Sequence, residues 1–249
     1  MRRAAHHGRV RLIEPAWVAA GLLAAGALQS ATGFGFALIA SPVLVGAYGG
    51  AEGISALTLI SVAINLLTLA TEGRRPVGDW RLAALLATWY IPGAVIGALV
   101  LRVVSQGALE VLVAATVLGA IAVRLAPGGR QLRLPAMPAG TLAGVFGTST
   151  GLSGPPLVLH LLHAGSSPLR SRDTLAAIFL TTALLSLGVL AVVGVLALPG
   201  DLGLLFAAPA VGHLLGRGVF ARLGPVGYER VALATMGTSA LASLALVVT

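Results

Sequence analysis

The sequence predicts an all-α fold: a polytopic transmembrane helix bundle of about 8–10 segments, built as two repeats that each begin with a broken helix. Three observations predict it. Of 249 residues, 57% are hydrophobic and only 10% charged, with a mean hydropathy of +0.97, the balance of a chain whose solvent is lipid. The apolar residues fall in long tracts separated by short loops that carry the arginines. Two of those tracts, at corresponding places in the two halves, are interrupted by small and polar residues.

The same composition closes off several function classes. Cysteine is absent, so disulfides, thiol nucleophiles and thiolate metal sites are excluded. The formal charge of +8 comes from arginine alone, because there is no lysine. The arginines stand between apolar tracts rather than in one patch, which speaks for membrane orientation and against a nucleic-acid partner.

Taken in order, residues 1–13 are a basic N-terminal arm with Arg2, Arg3, Arg9 and Arg11. Its pair His6 and His7 has no further ligands nearby and reads as a solvated tail rather than a metal site. The arm and the apolar run from Ala16 make a poor signal peptide, since the apolar tract continues past Gln29 to Tyr48. That tract, 16–48, is interrupted at Gln29-Ser30-Ala31-Thr32-Gly33-Phe34-Gly35. The next spans are 53–71, 82–101 and 107–125, each near the ~20 residues that cross a bilayer core. Tract 138–163 is broken, and 173–197, 201–219 and 229–248 complete the set. Tracts 16–48 and 138–163 each read either as one kinked crossing or as two short segments meeting at the break. Pro92 and Pro209 lie inside spans and predict kinks. Trp17, Tyr48, Trp80 and Tyr228 lie near span ends, as interfacial aromatics do. Asp79 and Asp201 precede spans and predict caps, and Glu110 and Glu229 begin spans where a negative charge suits the helix dipole.

The chain repeats itself. At an offset of 118, Gly26, Thr32 and Gly33 recur as Gly144, Thr150 and Gly151, with Thr148 in the place of Ser30. At an offset of 119, Gly93, Gly97, Val100 and Glu110 recur as Gly212, Gly216, Val219 and Glu229. These matches predict two transmembrane repeats, 14–126 and 137–249, joined by a cytoplasmic linker over 127–136. Arginine counting puts the loops at 72–81 and 124–136 in the cytoplasm. If 138–163 folds as a hairpin, every other interior-loop arginine except Arg102 joins them. A matching hairpin in the first tract would invert the halves but leave the basic arm outside, so the side of the N-terminus stays open.

The two breaks carry the chemistry. In the first lie Gln29, Ser30, Thr32, Gly33 and Gly35; in the second Thr148, Ser149, Thr150, Gly151, Ser153, Gly154 and Pro155. Glycine allows the helix to stop, and proline suits the first position of the next one. Non-helical backbone survives at membrane depth only where it is buried or lines a cavity. Free N–H groups, hydroxyls and the positive end of a helix then suit a small anion. Paired interruptions in corresponding positions point to a transporter site and alternating access, one half shifting against the other. The competing explanation is that small residues only let helices pack closely.

The pattern A-T-G-F-G-F-A-L-I-A-S-P-V-L, with G-T-S-T-G-L-S-G-P-P-L-V-L and then Arg172 in the second half, resembles the TauE/SafE sulfite exporter family of membrane anion permeases. The resemblance covers almost the whole chain, including the two-half layout. It implies a bacterial inner-membrane, multi-pass permease for sulfite, sulfonates or related sulfur oxyanions. The family's glycine motifs fall on Gly33, Gly35, Gly151, Gly154 and Pro155, and its arginine on Arg172. Phe34 and Phe36 depart from the fuller glycine pattern in the first half. No cofactor or metal is implied; the partners are a small anion and the lipid bilayer.

A second function class competes. Gly151-Leu152-Ser153-Gly154 fits the G-x-S-G of rhomboid intramembrane serine proteases, and His213 through Gly216 fits their H-x-x-G, so Ser153 and His213 could form a dyad. Pro155-Pro156 directly after the serine, and a first-half break without a nucleophile, argue against it. His160 and His213 are also candidates for proton coupling, since intramembrane ionisable groups are usually functional. His163, nearer the interface, reads as a helix-end residue. Asn65, midway through 53–71, reads as glue between helices.

Overall fold

A computed structural model describes residues 15–70, 75–125, 134–161, 168–200 and 202–220. The N-terminal arm, most of the linker, His163, Asp201 and the last expected span, with Tyr228 and Glu229, lie outside the described residues. Among the described residues the fold is all-helical, with nine helices and no strand: α1 (Pro15–Thr32), α2 (Phe36–Tyr48), α3 (Gly50–Ala70), α4 (Trp80–Val103), α5 (Gln106–Leu125), α6 (Ala136–Ser149), α7 (Gly154–Leu161), α8 (Pro168–Val193) and α9 (Leu202–Phe220). Helices α3, α4 and α8 are long and apolar enough to cross a membrane.

Local chemistry explains the helix ends. Gly33 stops α1: its φ of 78° is left-handed, and its N–H bonds the Gln29 carbonyl at 2.7 Å. That is the single-bond left-handed cap for which glycine has no steric penalty. Gly35, at φ 103°, then starts α2. In the other tract, Gly151 has φ 76° and Leu152 N–H reaches back 3.2 Å to the Phe146 carbonyl. Helix α7 restarts at Gly154, just before the two prolines. Asp79 caps α4, accepting from Leu82 N–H at 3.0 Å. Helix α8 ends four residues before the expected limit of 197. Gly194 (φ 76°) donates to Ala191 O at 3.1 Å and Val195 N–H to Leu190 O at 2.9 Å, a two-bond cap that turns the chain out of the helix.

Packing uses the backbone itself. Helix α4 lies against α6 and α1 against α9, in the two most extensive helix pairings. At the first crossing, β-carbons at Gly93 and Gly97 would overlap the carbonyl oxygens of Thr141 and Val145, and one at Gly144 that of Tyr90. At the second, β-carbons at Gly212 and Gly216 would overlap the carbonyls of Leu23 and Ala27, and one at Gly26 that of Pro209. Small residues thus let main chains touch, which supplies dispersion contact where lipid offers no hydrophobic drive. One apolar cluster joins α1, α2 and α3 (Leu22, Leu44, Ile54, Ile60) and another joins α4, α6, α7 and α8 (Leu86, Ala143, Leu157, Ile178).

The segment before α4 is sewn to the start of α8. Val77 N–H donates to Asp173 Oδ2 at 2.8 Å and Asp79 N–H to Thr174 Oγ1 at 3.0 Å, while Arg170 stands 4.0 Å from Asp79. The segment before α9 docks on α3 in a comparable way, through Ala197 N–H to Ser55 Oγ at 3.2 Å. These three backbone donors outside helices thus find side-chain acceptors.

Candidate functional site

A cavity of about 420 Å³ opens between the α1–α2 junction and the α6–α7 junction. Gln29, Phe34, Gly35 and Phe36 reach it from the first; Gly147, Gly151, Leu152, Ser153, Gly154 and Pro155 from the second. Helix α3 adds Leu57, Thr58, Ser61 and Asn65, α4 adds Tyr90, and α8 adds Phe179, Thr182 and Ser186. The wall is mainly apolar, and among its polar side chains Gln29 with Asn65 and Tyr90 with Ser186 form two hydrogen-bonded groups. That is the usual build of a small-molecule pocket, where a few placed polar groups orient the ligand.

The first of these groups centres on the Gln29 amide. Its Oε1 accepts from Phe36 N–H at 3.1 Å, so α1 caps the start of α2. Its Nε2 donates to Asn65 Oδ1 at 3.1 Å and lies 3.4 Å from the Gly33 carbonyl. Asn65 in turn donates to Ser61 O at 2.7 Å. Asn65 is thus the glue its position suggested, and it also faces the cavity. The second centres on the Tyr90 hydroxyl, 2.7 Å from Ser186 Oγ.

Helix starts contribute less hydrogen bonding than the sequence suggests. Phe36 N–H is taken by Gln29, and Pro155 and Pro156 have no N–H to offer. What remains at α7 is the Gly154 amide and the positive dipole end.

The structure sorts the expected residues. Gln29, Gly35, Gly151, Ser153, Gly154 and Pro155 line the cavity; Ser30, Gly33, Thr148, Ser149 and Thr150 do not. Of Thr32 only the backbone is described, at the end of α1. Thr148 Oγ1 donates to Ala94 O at 2.7 Å, Ser149 Oγ to Val145 O at 2.6 Å and Thr150 Oγ1 to Phe146 O at 2.8 Å. These hydroxyls are satisfied by carbonyls of their own helix or its neighbour. Thr150 acts through its backbone: its carbonyl accepts from Ser41 Oγ at 2.5 Å, tying α2 to the second junction. His160 Nδ1 stands 2.8 Å from the Leu134 carbonyl, and neither it nor His213, fully buried in α9, lines the cavity. The serine and histidine of the protease reading therefore do not share the cavity.

Arg172 is 3% exposed, and its side chain lies across Gly33, where an added β-carbon would come within 2.7 Å of Cγ. Arg75, Arg81, Arg102 and Arg170 are all exposed. The residue implied by the resemblance is thus a buried cation set against the first junction. Sequence reasoning missed Tyr90, Ser186 and Asp173. A lone tyrosine in an apolar span carries no pattern, and a serine between leucines in α8 reads as a small packing residue. Asp173, 1% exposed, stands at the edge of an apolar tract, where a charge draws no notice.

The family model "Sulfite exporter TauE/SafE" matches residues 17–243. A protein of Cupriavidus necator described as a probable sulfite/organosulfonate exporter TauE is 30% identical over 178 residues, which cover 65% of this chain and 66% of that protein. The chain thus spans just under two thirds of the curated relative's length. No solved structure matches. With buried polar junctions inside a bundle of apolar helices, and a family match along nearly its whole length, the chain belongs to the TauE/SafE sulfite exporters, a family of membrane transporters and not of enzymes.

Proposed function

We propose that the protein is a bacterial inner-membrane permease for small sulfur oxyanions, sulfite and organosulfonates above all, working by alternating access at the cavity between the two junctions. The observation that carries this is the cavity wall itself, which draws Gly35 from one junction and Gly151, Ser153 and Gly154 from the other. Positive ends of α2 and α7 converge there on a space with few fixed charges, so an anion would be held without being trapped. The relative's name supplies the substrate class.

Two repeats underlie the proposal. In support, three glycine–carbonyl contacts at the α4–α6 crossing have counterparts at the α1–α9 crossing at the same offsets of 118 and 119 found in the sequence: Gly93 on Thr141 answers to Gly212 on Leu23, Gly97 on Val145 to Gly216 on Ala27, and Gly144 on Tyr90 to Gly26 on Pro209. The apolar wall favours a sulfonate with a hydrocarbon part over a bare oxyanion. Each methylene that enters it should tighten binding by about fourfold.

The test is transport by the purified chain in proteoliposomes, with sulfite, methanesulfonate, ethanesulfonate and sulfate as alternative substrates. Uptake of sulfite and the sulfonates, rising in affinity from methane- to ethanesulfonate, is expected. Gly151→Leu, which puts a side chain at φ 76° against Leu57, should remove transport while the protein still reaches the membrane. Undiminished transport in that variant would refute the site.

A further inference from the structure

The cavity holds several hydroxyls, and most are already engaged. Thr58, Ser61 and Thr116 donate to the carbonyl four residues back, at 2.7, 2.8 and 2.7 Å. Thr182 donates to Phe179 O at 3.3 Å. Tyr90 and Ser186 differ. Ser186 sits on a helix and could do the same, yet its hydroxyl meets Tyr90 from α4 at 2.7 Å. Among the described residues that is the one hydrogen bond of either hydroxyl. Two hydroxyls bring two O–H hydrogens, and one of them closes the pair. The other is left for an acceptor in the cavity.

The location is specific. Tyr90 is 1% exposed, its ring held in the α4–α6–α8 cluster, so the hydroxyl is fixed by packing. A β-carbon at Gly147 would overlap that hydroxyl and would stand 3.2 Å from Ser153 Cβ. Tyr90, Ser186 and Ser153 therefore meet around one glycine of α6, beside the start of α7. Ser153 Oγ has no partner among the described residues. At the corresponding place in α1, the side chain is Gln29, whose amide is spent on Phe36, Gly33 and Asn65. One junction is thus braced internally, and the other presents donors.

From this we infer that the Tyr90–Ser186 hydroxyl pair, with Ser153, receives the oxyanion head of the substrate at the Gly147 corner, and that Tyr90 sets affinity for it. A sulfite or sulfonate group presents three acceptor oxygens, matching a cluster that can donate and has little else to donate to. A hydrogen bond to a charged acceptor is worth more than one between neutral groups, and a donor fixed by packing loses little entropy in making it. The inference rests on the anion-permease reading above and assigns the head-group end of the same cavity.

The experiment is titration of the full purified chain in detergent with methanesulfonate and with sulfite, alongside the unliganded thermal midpoint. Tyr90→Phe keeps the ring and removes only the hydroxyl. It should bind both anions about tenfold or more weakly, with the unliganded midpoint unchanged. Ser186→Ala should weaken binding about threefold or more by the same route, and serves if Tyr90→Phe does not fold. Affinity equal to wild type in a folded Tyr90→Phe or Ser186→Ala variant overturns the assignment while leaving the permease reading intact. A lowered midpoint with unchanged affinity would also overturn it, as the mark of a purely structural pair. A wild-type chain that binds neither anion overturns the permease reading, and this assignment with it.

Discussion

Gln29 Nε2 donates to Asn65 Oδ1 at 3.1 Å, and this bond ties the end of α1 to the C-terminal part of α3. The same amide caps α2, so one side chain holds three elements at the first junction. Gln29→Leu would leave Phe36 N–H and the Asn65 carbonyl oxygen buried without Gln29, each at about 1–3 kcal/mol. The thermal midpoint in detergent should fall by several degrees. An unmoved midpoint would mean that Gly33 and Gly35 hold the junction unaided.

Hydroxyls at the second junction should separate cleanly by mutation. Ser149→Ala deletes only a 2.6 Å bond to Val145 O within α6, a contact of little net value in a helix. Transport should stay within about twofold of wild type, because this hydroxyl does not line the cavity. Ser153→Ala, four residues on, should weaken apparent affinity by about threefold to tenfold, leaving maximal rate nearly intact. A concentration series of sulfonate uptake distinguishes the two. Complete loss of transport in Ser153→Ala would mean that this hydroxyl does more than set affinity.

Glycines provide a paired test of the crossings. Gly97→Ala and Gly216→Ala each place a methyl group on a facing carbonyl, of Val145 and of Ala27 respectively. Forcing the helices apart should cost about 1–3 kcal/mol or more, seen as a lowered midpoint and a broader size-exclusion peak. Gly188→Ala in α8 meets nothing within 4 Å and should be neutral or stabilising by up to about 1 kcal/mol. Equal effects at all three positions would show that the crossings are not close-packed.

Asp79 ends the segment sewn to α8 and caps α4 through Leu82 N–H. Asp79→Ala should cost about 1 kcal/mol, and Asp79→Asn much less, since the amide oxygen still accepts. Denaturation of both variants under identical detergent conditions checks the order.

Much of this architecture is legible in the residues. The all-helical class comes from composition, the cap at Asp79 from its place before an apolar run, and the role of Asn65 from its solitude in an apolar span. The family motifs lead to both junctions. The features that stay hidden depend on contacts between distant segments. That Thr148, Ser149 and Thr150 bond to carbonyls rather than face the cavity is decided by helix rotation, and α6 is too uniformly small and apolar for its sequence to fix which face is inward. Tyr90 matters because Gly147, far along the chain, leaves room for its hydroxyl, and a single sequence does not reveal such pairs. The buried charge at Asp173 is invisible in the sequence because its acceptor duty is to the main chain of Val77.

The glycine-lined crossings bear on how the molecule is made. A ribosome that has delivered α1 to α5 has released two grooved helices, α1 and α4, whose mates α9 and α6 are still to be synthesised. Gly26, Gly93 and Gly97 then face lipid instead of main chain, so the early segments wait in the bilayer as loosely held rods. Closure of the bundle belongs to the arrival of α9, and a nascent chain stopped before it should leave α1 without its most extensive helix partner.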